Sequence, residues 1–316
     1  MPDSVTSAFS EPEDYEAALR GEDVLSLLIS GGGQFRAKLT QISLSATRLS
    51  AAEERLPRIA FISIPTDTMA ILFPVGRAAA PVCGGISIGA GELLTLTPGE
   101  QFHARTGGAS HWGSIHVRVR RLMEYGAAIT GGSFSLSSGI GHLRPSRADE
   151  RMLRGLHAAA IRIAAKSPQM LVDSEAARGL EQQLLHAVVE CLSVAPIVGE
   201  RQSDQGNREI VVRFEQLLRS SLGAKAEIQE ICAALQVSER RLRLACAAHL
   251  GIGPMAYDRL RRLSRVHRIL RADPSAKSVS VVAKSNGFQG LGRFASDYKA
   301  AFGEYPSTTL LRKALQ

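Results

Sequence analysis

The chain has 316 residues, 45% hydrophobic and 22% charged, about two domains' worth at ~150 residues each, which excludes a disordered or fibrous protein. Its net charge of +8 is uneven: residues 208–316 carry 19 Lys and Arg against 9 Asp and Glu, whereas residues 1–207 carry 19 against 21. A mildly acidic body joined to a domain of charge +10 points to a polyanionic partner for one part only.

Residues 1–23 are polar and acidic (Glu11, Glu13, Asp14, Glu16) and read as a flexible arm. They lack the basic and apolar regions of a signal peptide, and no run approaches the ~18 apolar residues that cross a bilayer. A cytoplasmic protein with no membrane partner is expected. Residues 24–145 begin with the apolar patch Val24 to Ile29, which ends at the hinge Gly31-Gly32-Gly33. Short runs rich in Ile, Leu, Val, Phe and Thr follow: Phe35–Leu49, Arg58–Ile64, Met69–Val75, Gly85–Ile88, Glu92–Leu96, Gln101–Arg105 and Ser114–Val119. Gly and Pro punctuate them, as in a β sandwich or barrel. In the last run, alternation points Ile115, Val117 and Val119 inward and His116, Arg118 and Arg120 outward.

From Pro145 the period becomes helical, and residues 146–195 are predicted as two amphipathic helices joined at Pro168. Leu153, Leu156, Ala160 and Ile163 form one stripe; Leu180, Leu184, Val188 and Cys191 form the other. The second stripe is either a dimer seam or a face packed within the chain. Residues 196–207, poor in apolar groups, read as a linker. The four cysteines, Cys83, Cys191, Cys232 and Cys246, contain no C-x-x-C pair and are expected to be reduced core thiols.

Residues 208–316 carry the motif with the clearest function. Ile228, Ile231, Cys232 and Leu235 mark a short helix, Gln236-Val237 a turn, and Ser238 caps a second helix with Glu239 in its first turn. That helix buries Leu242, Cys246, His249 and Leu250 and presents Arg240, Arg243 and Ala247. Two short helices, a tight turn and an arginine-bearing outer face make a helix-turn-helix. The pattern recurs: Val279, Val282 and Ala283, a turn at Asn286-Gly287, then Leu291, Phe294, Ala295, Tyr298 and Phe302, with Arg293 and Ser296 outward. A single helix from Pro254 to Asp273 separates the units. Its roughly 18 residues at ~1.5 Å each give ~27 Å, approaching the ~34 Å between successive major grooves on one face of a duplex.

Ser238 to Leu242, GIGPMAYDRLRRLSRVHRIL at 251–270, and Gly287-Phe288 followed by RFASDYKAAFGEYPSTTLLRK resemble the carboxy-terminal DNA-binding domain of AraC/XylS-type transcription regulators. The resemblance covers about residues 225–313. It implies base reading by Arg240, Arg243, Arg293 and Ser296, and phosphate contacts from Ser238, Arg262, Lys284 and Lys299. It further implies double-stranded DNA as partner, RNA polymerase as the next one, a homodimer, and an unknown small-molecule effector. The chain departs from the pattern at Gln236, where Gly is usual, at Leu244, a position often polar, and at Leu291-Gly292. Gly91, Pro98, Gly99 and His103 are similar to a cupin motif, so residues 24–145 are expected to form a cupin-like β-barrel sensor. No His-x-His precedes Gly91, so no metal is expected at His103, His111 or His116, which are read as satisfied or surface histidines. Trp112 either stacks on a ligand or plugs the barrel.

No G-x-S-x-G, Walker loop, H-E-x-x-H or dinucleotide fingerprint occurs, so no catalysis and no cofactor are expected. The fold class is therefore α+β: a cupin-like barrel, a helical dimerisation segment and an all-α double helix-turn-helix domain. The function is that of a sequence-specific transcriptional regulator, an activator by resemblance. A cupin-type metalloenzyme with a DNA-binding tail, or a nonspecific nucleic-acid binder, is the alternative.

Overall fold

The computed structural model describes residues 3–76, 79–132, 134–136, 138–172, 174–194, 197–198, 202–220, 227–272 and 278–313. The amino-terminal part opens with strand β1 (Asp3–Phe9), helix α1 (Pro12–Leu19) and strand β2 (Val24–Ile29). The predicted strand run at Phe35–Leu49 divides at residues 44–46, giving β3 (Ala37–Ser43) and β4 (Thr47–Glu54). After them come β5 (Arg58–Ser63), β6 (Thr68–Pro74), β7 (Val82–Cys83), β8 (Ile86–Ser87), β9 (Leu93–Leu96), β10 (Gln101–Arg105) and β11 (Ser110–Arg118). Helix α2 (Val119–Thr130), strand β12 (Ile140–Leu143), helices α3 (Arg147–Lys166), α4 (Gln169–Val172) and α5 (Ser174–Val194), and strand β13 (Ile197–Val198) complete it.

The strands form two antiparallel sheets, ordered β1-β3-β4-β11-β6-β9-β12-β13 and β2-β5-β10-β7-β8. Among the described residues no strand pairing joins them, so the expected barrel is not closed; the two sheets face each other across a core of Leu39, Ala52, Ile62, Leu94 and Phe102. The opposite face of the larger sheet packs Leu49, Ile71, Ile115 and Val117 against Leu153, Ala160, Leu184 and Val188 of α3 and α5. Strand β11 is thus covered on both faces. His116, expected to point outward, is 5% exposed and lies between the sheets, its Nδ1 3.3 Å from Asp23 and 3.1 Å from Arg48. Val119 begins α2 rather than ending the strand.

Three expectations about organisation change. Residues 1–23 are not a loose arm: β1 pairs with β3 along its whole length, and Tyr15 and Leu19 of α1 are fully buried. Tyr15 donates its hydroxyl to Glu54 at 2.7 Å. An edge strand with both faces partly exposed shows little alternation, and the acids of α1 read as solvated only because their basic partners lie 250 residues away. The linker at 196–207 also carries structure. Ile197 and Val198 pair with β12, and from Gln202 the chain is helical as α6 (Gln202–Ser220). Finally, the stripe Leu184, Val188 and Cys191 is consumed by packing within the chain, and α5 leaves Gln182, Gln183 and His186 outward. An apolar seam on that stripe is therefore not available to a second copy.

The carboxy-terminal domain adds α7 (Ile228–Leu235), α8 (Glu239–Leu250), α9 (Pro254–Ala272), α10 (Val279–Ser285), α11 (Leu291–Phe302) and α12 (Pro306–Lys313). Two small cores share α9. Phe214, Leu242, Cys246 and Tyr257 fill the first; Val266, Leu270, Val282, Phe288, Phe294 and Tyr298 fill the second. The predicted elements of both helix-turn-helix units are present, and the aromatics at helical spacing are core. The four cysteines are free, and burial raises the thiols of Cys83, Cys191 and Cys246 to about 12, which makes them inert.

Candidate nucleic-acid interface

The first unit is fixed by local chemistry. Helix α7 stops at Gln236, whose backbone is left-handed at φ 57°, one of two such non-glycine residues among those described. A side chain there costs about 1–2 kcal/mol relative to ordinary backbone. Two residues on, Ser238 Oγ accepts the backbone N–H of Arg241 at 3.3 Å and caps α8. Its hydroxyl has a structural duty at the helix end that a nucleic-acid phosphate would approach.

Helix α8 buries Leu242, Ala245, Cys246, His249 and Leu250. At about 100° per residue, Arg240, Leu244 and Ala247 fall within about 60° of arc at the centre of the opposite face, with Arg241 and Arg243 on its flanks. Arg240 has no partner among the described residues. Arg243 donates from Nε to Glu239 at 2.8 Å, so its guanidinium is held along the helix. Leu244 is 59% exposed.

In the second unit, Gly287 supplies the positive φ of 77° after α10. Helix α11 buries Phe294 and Tyr298 and turns Arg293, Ser296 and Lys299 outward. Ser296 Oγ donates to the carbonyl of Gly292 at 3.2 Å. Lys299 Nζ lies 4.5 Å above the Tyr305 ring and 3.4 Å from its hydroxyl, and Lys284 is exposed on α10. Of the eight positions singled out, seven lie on the exposed surfaces of the two units.

Arg262 is the exception. It is 7% exposed, donates from Nε to Asp258 at 2.9 Å and from Nη1 to the carbonyls of Asn286 and Gly287 at 3.3 Å each. Its guanidinium lies 4.7 Å over the Phe288 ring. These contacts tie α9 to the α10–α11 turn through Nε and Nη1, a structural duty rather than an exposed phosphate contact. The nineteen residues of α9 make a rod of about 28 Å between the units, and the ion pair of Arg259 with Asp297 braces α11 against it.

Two sets of contacts between the amino-terminal part and this domain were not legible in the sequence. In the first, Tyr257 donates to Glu215 at 2.7 Å, and His103 Nε2 lies 3.2 Å from the tyrosine oxygen and 3.6 Å from Glu215, with Arg261 also 3.6 Å from that carboxylate. Burial pushes His103 below its usual value, against the pull of Glu215. Burial would raise Glu215, but His103 and Arg261 outweigh it and hold the carboxyl low. A neutral His103 donating to Tyr257, which donates to an ionised Glu215, satisfies this geometry. In the second, Glu13 of α1 meets His267 at 2.6 Å and Arg271 at 3.0 Å, Asp14 meets Arg271 at 3.0 Å, and Glu16 meets Arg268 at 2.8 Å. Only a signal at long sequence separation would have paired these groups.

Between the two sheets, Glu54 accepts from Tyr15, Ser110, Trp112 and Arg58. Trp112 thus donates its indole N–H at 3.0 Å to a buried carboxylate. A cavity of about 50 Å³ adjoins this cluster, room for a few waters. Ser114 lines it, and the Ser114 hydroxyl has no hydrogen-bond partner among the described residues.

The helix-turn-helix domain family matches residues 231–312. The XylDLEGF operon transcriptional activator of Pseudomonas putida is 36% identical over 100 residues, 31% of this chain and 31% of that protein. The chain spans about a third of the length of the curated relatives it matches in this way. Among solved structures, a "probable AraC family transcriptional regulator" from Rhodopseudomonas palustris is 32% identical, covering 33% of this chain and 97% of that one with a TM-score of 0.32. The AraC-like transcriptional activator CuxR is 15% identical, covering 90% and 100%, with a TM-score of 0.44.

Proposed function

From a carboxy-terminal domain that belongs to the AraC/XylS type of double helix-turn-helix, we propose that the whole protein is a sequence-specific transcriptional regulator that reads two adjacent major grooves. The observation that carries this reading is the pair of solvent-facing helices α8 and α11, presenting Arg240 and Arg293 at the two ends of one rigid α9. Arg240, with no partner among the described residues, is suited to the bidentate donation that recognises guanine. Arg243 joins it once it exchanges Glu239 for a base edge, and Ser296 does so once it leaves Gly292. Lys284, Lys299 and the capped helix end at Ser238 supply phosphate contacts, which position the domain without specifying sequence.

The amino-terminal domain supplies control. Its effector is a small molecule, and the His103–Tyr257–Glu215 contact gives a change in β10 a direct route to α6 and α9. The regulator is an activator, the role that the name of the P. putida relative gives that protein, with RNA polymerase as its next partner. It is cytoplasmic, is not an enzyme, and binds paired sites as a homodimer through a surface other than the buried stripe of α5.

Substitution separates these roles on one duplex. Arg240→Ala costs about 1–3 kcal/mol on the cognate site and relaxes preference at one base pair. Lys299→Ala weakens all sequences alike and lowers the salt slope by about one unit. Unchanged base preference in Arg240→Ala refutes the assignment of that residue. Control is tested separately: if deletion of residues 1–200 leaves transcriptional output unchanged with and without inducing conditions, the amino-terminal domain does not sense.

A further inference from the structure

Leu244 is the feature of α8 that arginine-based readout leaves unexplained. It is 59% exposed, while Leu242, two residues earlier, is wholly buried in the first core. It is therefore not part of the packing that holds the unit together. Its position is the centre of the outer face, one turn beyond Arg240 and between that arginine and the small side chains of Ala247 and Ala248. The flanks of the same face carry Arg241 and Arg243. A hydrophobic point framed by guanidinium groups fits a surface whose edges are anionic and whose floor carries an apolar group. The major groove of duplex DNA has that arrangement wherever it contains thymine, whose 5-methyl group is the only apolar feature on the base edges there.

We propose that Leu244 reads a thymine, packing its isobutyl group against the 5-methyl within two base pairs of the base pair that Arg240 contacts. The spacing follows from geometry. Four residues along a helix advance about 6 Å, slightly under two steps of ~3.4 Å along the duplex. Ala247 and Ala248 add no bulk beyond Leu244, so the helix can approach closely enough for van der Waals contact. The first recognition helix thereby reads two kinds of chemistry, hydrogen-bond acceptors through Arg240 and a methyl group through Leu244. This inference rests on the DNA-reading assignment above.

The test uses the full-length chain and a duplex carrying its selected site. Each thymine of the half-site contacted by α8 is replaced in turn by deoxyuridine, which removes one methyl and leaves every hydrogen-bonding group in place. At one position the wild type loses about fourfold in affinity, the equivalent of about 0.8 kcal/mol for one buried methyl-sized group. Leu244→Ala binds the thymine and deoxyuridine duplexes within about 1.5-fold of each other, and its selected motif no longer prefers thymine there. Because Leu244 is exposed, the alanine variant keeps the fold. If no deoxyuridine substitution weakens the wild type, or if Leu244→Ala retains the full penalty, the inference is overturned while specific binding stands. If the wild type selects no motif at all, it is the DNA-reading assignment that fails.

Discussion

Arg262 decides between two views of α9, because a phosphate-contacting arginine and a structural one respond oppositely to removal. Truncation to Ala removes the ion pair of Arg262 with Asp258, itself 4% exposed. It also releases the carbonyls of Asn286 and Gly287 and removes the guanidinium from the Phe288 face. Removing one partner of a buried ion pair costs about 3–5 kcal/mol, and the lost cation–π contact adds about 0.5–2 kcal/mol. The expected loss is about 4 kcal/mol in urea unfolding followed by far-UV circular dichroism. A double variant, Arg262→Met with Asp258→Leu, removes both charges together and should recover most of that loss. At temperatures where the double variant is folded, its DNA affinity should keep the wild-type salt slope. A slope lowered by about 0.9, as for one lost phosphate contact, with little change in stability, refutes the structural role.

Gln236→Gly relieves the left-handed backbone at φ 57° and, after the extra entropy of a flexible unfolded glycine, should stabilise the carboxy-terminal domain by about 0.5–1 kcal/mol; a lower melting temperature contradicts this. His157, buried on the inner face of α3 with its Nε2 3.0 Å from the carbonyl of Ser50, is pushed down by burial to about 4. The unfolded chain takes up that proton at about 6.5, so the contribution of His157 is complete above that pH. It is lost as pH falls toward 4, by about 3 kcal/mol in total. Unfolding measured between pH 7 and 4.5 should show this slope, and His157→Gln should flatten it; an equal slope in the variant assigns the effect elsewhere. Glu13→Gln with Glu16→Gln removes the pairing of α1 with His267 and Arg268 and leaves Arg271 only its contacts with Glu11 and Asp14, and protease cleavage near residue 200 should then separate the two parts more readily at low salt. Cleavage at the wild-type rate argues that the pairing does not hold them together.

Both helix-turn-helix units were legible because their signals are local. Buried positions at helical spacing and a glycine or glutamine at the turn specify each pair of helices without reference to the rest of the chain, and a serine cap adds to the first. The penalty at Gln236 was also visible, since its position requires a conformation that its side chain resists. Arg262 was not legible. Its position on α9 is that of an ordinary basic helix residue, and only the approach of Asn286 and Gly287 across the fold turns it inward. The acidic start misled in a similar way, because Glu13 and Glu16 look solvated until α9 supplies His267, Arg268 and Arg271. Strand β11 concealed its second buried face because His116 and Ser114 are polar, and the Asp23 carboxylate and Arg48 guanidinium that meet His116 lie elsewhere in the chain. The stripe Leu184, Val188 and Cys191 left two partners open from sequence, and α3 and the larger sheet occupy it.

Selection of duplexes from a random pool by the purified full-length protein, repeated at two salt concentrations, tests sequence-specific reading by two heads most directly. Two heads on one α9 should enrich a motif with two conserved blocks about one helical turn apart, present at both salt concentrations. Binding without enrichment, lost on raising the salt, would reduce the basic domain to backbone attraction and refute sequence-specific reading.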